Sequence, residues 1–95
     1  MVLTLQIDKI ESGLYRAAVL CGSVEVTESS QYASIEEAIR EEVAAVPEGF
    51  AYFADVIYGG ASSGTISLAV LPERASQVAD QLVAIMAEMY RVAQS

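Results

Sequence analysis

The chain has 95 residues, 54% of them hydrophobic, with five basic against thirteen acidic residues, a formal net charge of −8, no His, no Trp and one Cys. That length fits a single domain over 1–95, and the hydrophobic share excludes a disordered tail or a low-complexity linker. Few Lys and Arg argue against direct nucleic-acid binding, which depends on neutralising phosphates, and without His there is no imidazole base, no imidazole ligand and no Ser-His or Cys-His pair.

Leu3, Leu5 and Ile7 alternate with Thr4, Gln6 and Asp8, which predicts a half-buried strand over 2–9. Glu11-Ser12-Gly13 is a turn signal, and a second apolar run follows from Leu14 to Cys21. Gly22-Ser23 then separates that run from Val24-Glu25-Val26-Thr27. Gly followed by Ser suits a two-residue hairpin turn; the alternative is a bulge inside one long strand.

Ser34-Ile35-Glu36-Glu37 is a capping box that opens the first helix. Ile35, Ala38, Ile39, Val43 and Val46 recur behind it at helical spacing, and Pro47-Glu48-Gly49 stops it. Phe50 to Tyr58 is aromatic and β-branched and reads as a strand, followed by a glycine-rich loop over 59–64 and a strand from Thr65 to Leu71. Pro72 suits the first position of a long helix from about Glu73 to Ala93. Its apolar arc covers roughly 160°, wider than one core contact needs.

Strands joined by hairpins form antiparallel sheets, and two helices can cover one face. The expected fold class is α+β: a two-layer sandwich of four or five antiparallel strands with both helices on one face, in the order ββ(β)αββα. The other sheet face is expected to carry Ala17 or Ala18, Cys21, Ala51, Ala54 and several tyrosines, and so to be incompletely polar.

No window approaches the roughly 18 apolar residues of a membrane span. The start at Met1 has no basic stretch and its apolar run is short, unlike a signal peptide. A lone Cys21 forms no intrachain disulfide, so the expected compartment is the cytoplasm.

Glu36, Glu37, Glu41 and Glu42 make the first helix acidic. They are either a docking patch for a basic protein partner or a solvated face that keeps a hydrophobic protein soluble. The surplus apolar arc of the second helix, with Val83, Met86 and Tyr90, points to self-association, most simply a homodimer. Asp55, embedded in an apolar strand, and the nearby Tyr58 are candidates for a ligand pocket. No calcium-loop pattern occurs and one Cys without His builds no conventional zinc site, so neither metal nor cofactor is expected.

The stretch Gly13-Leu14-Tyr15 through Val26-Thr27, followed by Ala33-Ser34-Ile35-Glu36-Glu37-Ala38-Ile39, resembles the N-terminal half of HicB-type antitoxins. In that family hairpin strands lead to a Thr or Ser cap and an E-E-A helix start. The family's Pro-Asp-Leu-Pro-Gly-Cys segment is absent, and no helix–turn–helix or ribbon–helix–helix segment follows. The resemblance therefore implies the architecture rather than DNA binding.

The expected function is that of a small, acidic, non-catalytic protein acting by protein–protein interaction: self-associating, and serving as an inhibitor, an antitoxin-like factor or an accessory subunit. One alternative is a small-molecule binder or uncommon enzyme with a tyrosine-lined pocket around Asp55. A nucleic-acid mimic, with carboxylates spaced like phosphates, is a second.

Overall fold

The alternation in the first strand places Leu3, Leu5 and Ile7 on the one face of a six-stranded sheet that the helices cover, and all three are fully buried. The computed structural model describes residues 1–94. In chain order its elements are β1 (Val2–Glu11), β2 (Leu14–Cys21), β3 (Val24–Glu25), β4 (Ser30–Tyr32), α1 (Ile35–Ala45), β5 (Phe53–Tyr58), β6 (Ala61–Ser67) and α2 (Ala75–Gln94). Across the sheet the order is β3-β2-β1-β5-β6, with β4 also pairing with β2.

The class is α+β in two layers, as the sequence predicts. Ile35, Ala38 and Ile39 of α1 and Ala75, Val78 and Leu82 of α2 join Ala17, Val19, Ala54 and Val56 of the sheet in one buried cluster. Burying a side chain such as Leu82 stabilises the fold by roughly 2 kcal/mol. α1 lies over the β2 side and α2 over the β5–β6 side.

The sheet is mixed rather than wholly antiparallel. β1 and β5 run parallel, with Leu3 beside Ala54 and Leu5 beside Val56. The long connection between them, which includes α1, permits this, because parallel neighbours need a crossover of a dozen residues or more. The sixth strand arises because the free edge of β2 takes two short partners. Gly22-Ser23 is a two-residue hairpin turn, with Cys21 opposite Val24 and Gly22 at φ +64°. The chain then leaves the edge and returns as β4, with Tyr32 opposite Tyr15.

The boundaries of β5, β6 and α2 differ from the sequence expectation. β5 begins at Phe53, because Pro47 to Tyr52 turn, with the Phe50 N–H donating to the Pro47 carbonyl at 3.1 Å. Residues 61–64 belong to β6, because Gly59-Gly60 alone suffices for the turn. Ser63 and Gly64 then form a bulge opposite Val56, with Gly64 at φ +77° and the Val56 N–H donating to Ser63 Oγ at 3.0 Å. Finally, residues 68–74 form successive turns, which delays α2 to Ala75 and buries Leu71.

The open sheet face also differs. Ala17 and Ala54 are buried beneath the helices, and Cys21 and Ala51 pack against the same core. The open side instead carries Thr4, Gln6, Asp8, Arg16 and Asp55 among Val2, Ala18, Leu20, Phe53 and Ile57, which follows from strand parity and register. Tyr15, Tyr32 and Tyr58 lie on the helix side, where Tyr15 and Tyr58 meet edge to face with ring centroids 6.1 Å apart.

Candidate functional site

Ser34 caps α1 by accepting from the Glu37 N–H at 3.1 Å. The cap fixes which way the helix faces. Glu37 and Glu41 are exposed, and Glu36 is partly exposed and pairs with Arg40 at 2.7 Å. Glu42 is 2% exposed, so the expectation that it joins a docking patch is corrected. It occupies the middle of the apolar stripe, three residues beyond Ile39 and four before Val46.

The burial of Glu42 is tied to the irregular edge of β2. Its Oε1 accepts from the Thr27 hydroxyl at 2.6 Å, and its Oε2 accepts from the Tyr32 hydroxyl. Thr27 Oγ1 in turn accepts from the Val19 N–H at 2.9 Å, in a gap of the ladder between β3 and β4. No ion pair to Glu42 occurs among the described residues. Two hydroxyls satisfy both oxygens of a group that only accepts when ionised. Burial, followed by the bond to Glu42, pushes the Tyr32 phenol up to about 12.

Asp55 and Tyr58 do not share a pocket. Asp55 pairs across with Thr4 and faces the open side, where Ser62 Oγ donates to it at 2.7 Å; Tyr58 pairs with Ile7 and faces the helices. Residues three apart on a strand point to opposite faces. Ser62 and Ser63 of the glycine-rich segment are likewise held within β6, Ser62 by donating to Asp55 and Ser63 by accepting from the Val56 N–H. No cluster of metal-ligating side chains occurs among the described residues. No helix among them is long and apolar enough to cross a membrane.

Two apolar features remain. One is an open cleft of about 450 Å³ between the end of α1 and the start of β5, lined by Val43, Val46, Ala51, Tyr52 and Leu68, with Glu48 at its margin. Sequence reasoning missed it, because it is formed by turns.

The other feature is the far half of α2. Met89 is 46% exposed, Tyr90 69% and Val92 63%, whereas Ala75, Val78 and Leu82 on the near half are buried; Val83, 50% exposed, also lies on the near half, on the side of the helix opposite Val92. Of the residues expected to mediate self-association, Val83 and Tyr90 are thus exposed, while Met86 is partly buried against the core. A Cβ on Gly59 would come within 2.8 Å of Met86 Cε, and one on Gly60 within 2.9 Å of Met89 Cε. The glycine turn of the β5–β6 hairpin therefore lets α2 pass close over it.

Comparison of the chain with protein-family models, with curated proteins and with solved structures finds no match.

Proposed function

We propose that this is a non-catalytic interaction protein that acts by protein–protein contact and self-associates through the far half of α2. The carrying observation is the apolar groove bordered there by Ile85, Met89, Val92 and Ala93, where Met89 and Val92 are 46% and 63% exposed. Such residues are unremarkable when scattered but indicate a contact surface when contiguous on one element. The same segment contains only Glu88 and Arg91 as charges, and they pair with each other.

A second partner, basic in character, meets the exposed Glu37 and Glu41 of α1, with the partly exposed Glu36 beside them. This is the form an inhibitor, antitoxin-like or accessory role takes in this chain. A nucleic-acid mimic is less well supported, since burial of Glu42 breaks the acidic row on α1.

The cleft bordered by Val43, Val46 and Leu68 supports a second reading, a binder of small apolar ligands. It replaces the pocket expected at Asp55 and Tyr58. A chemical-shift titration with small apolar probes separates the readings: saturable shifts confined to Val43–Leu68 favour the ligand binder. For self-association, sedimentation equilibrium at about 1 to 100 µM is expected to show mass rising above the 10.1 kDa monomer. A constant 10.1 kDa across that range rejects it.

A further inference from the structure

We infer that two copies of this chain pair antiparallel through the last turns of α2, with Met89 nearest the two-fold axis; this rests on the self-association proposed above. Ala75, Val78, Leu82, Ile85, Met89 and Val92 recur at alternating steps of three and four residues, the seam spacing of paired helices. Ala75, Val78 and Leu82 are buried in the body, and Ile85 is half-buried. Met89 and Val92 continue the same stripe at 46% and 63% exposure. One apolar seam thus serves the core and then runs out of it. Ile85, Met89, Val92 and Ala93, with Glu88, border a shallow apolar groove on this segment.

Charge selects the occupant. From Gln81 to Gln94 the chain has one acid, Glu88, and one base, Arg91, so the whole net charge of −8 lies elsewhere. A second copy of so acidic a chain meets the least repulsion at this segment. A basic partner has no charge to gain there and is drawn to α1 instead.

Charge also selects the orientation. α1 packs beside α2. Parallel pairing would set two acidic bodies side by side, with Glu36, Glu37 and Glu41 of each copy near the other. Antiparallel pairing places the bodies at opposite ends of the contact and opposes the two helix dipoles favourably. A two-fold contact is self-complementary, so a residue at the centre of the exposed seam meets its own copy. Met89 occupies that centre, between Ile85 and Ala93. From Ile85 to Val92 the seam runs about 10 Å, so the contact is small, at the weak end of specific interfaces.

Cysteine cross-linking tests the geometry on the full chain in a Cys21→Ser background, with light scattering of each protein before oxidation. Met89→Cys is expected to form a disulfide dimer by itself. Ile85→Cys alone and Val92→Cys alone are expected to form little, and a mixture of the two to form the mixed dimer. Self-cross-linking of both Ile85→Cys and Val92→Cys means parallel pairing and overturns the inference, while self-association stands. A dimer by light scattering that cross-links in none of these combinations places the contact away from the α2 seam, with the same consequence. A monomer at every concentration rejects both the geometry and the proposed self-association.

Discussion

The Thr27 hydroxyl donates to Glu42 at 2.6 Å while accepting the Val19 N–H at 2.9 Å, so one side chain replaces a missing ladder partner and satisfies a buried acid. With Tyr32 on the other oxygen, the pair clasps the edge of the sheet to α1. Truncation should therefore cost more than surface changes do. Glu42→Ala orphans two hydroxyls and leaves a void, with an expected loss of about 3 kcal/mol. Thr27→Val keeps the shape but strands the Val19 N–H, at about 1–3 kcal/mol. Urea unfolding measures both. Losses below about 0.5 kcal/mol, the range of ordinary surface substitutions, would mean that the clasp contributes nothing.

Alkaline pH should loosen the same region. The Tyr32 phenol is held up to about 12 against an ordinary 10.0, by burial and then by the bond to Glu42. A group raised in the folded state contributes stability that is complete below its unfolded value and is lost as pH climbs through the folded one. Stability is thus expected to fall between about pH 10 and 12 from this source. Tyr58, raised by burial and by Tyr15, adds in the same direction. Phenolate absorbance should show late-titrating tyrosines, one of which disappears in Tyr32→Phe. A titration unchanged by Tyr32→Phe would contradict the assignment.

The bulge in β6 is expected to be sensitive at two adjacent residues. Ser63→Ala removes the acceptor of the Val56 N–H and should cost about 1–2 kcal/mol. Gly64→Ala places a side chain at φ +77° and should cost about 1 kcal/mol, although nothing lies within 4 Å of its Cβ. Amide exchange at Val56 reports the first change directly: faster exchange in Ser63→Ala is expected, and an unchanged rate counts against the bond.

Salt gives the proposed self-contact a direction that can be checked. Each copy carries −8, while the contact segment is neutral in sum. Screening therefore removes repulsion without weakening the seam, and the dimer should tighten as ionic strength rises from low to physiological values. Isothermal dilution at both salts measures this. Weakening with salt would show that ion pairs hold the contact instead.

Much of the architecture is legible in local patterns. The alternation of Leu3, Leu5 and Ile7 reports β1, and the Ser34 cap with the Ile35–Ile39 stripe reports α1. The same rules contain two signals that composition obscures. Helical spacing puts Glu42 in the middle of the buried stripe, yet its charge suggests exposure. Strand parity puts Asp55 and Tyr58 on opposite faces, yet nearness in sequence suggests one pocket. The parallel partnership of β1 with β5 has no local signature, because it depends on how α1 crosses between them. Nor does β4, whose Ser30-Gln31-Tyr32 reads as polar loop until β2 offers an edge.

The central claim is that exposed apolar residues on the far half of α2 hold two copies together. Its most direct test is the mass in solution at about 100 µM and moderate salt of the unaltered chain, of Met89→Glu and of Glu41→Lys. The account predicts a dimer for the unaltered chain and for Glu41→Lys, and for Met89→Glu a 10.1 kDa monomer that still unfolds cooperatively. An unaltered chain at 10.1 kDa, or a Met89→Glu protein that still forms the dimer, would contradict it.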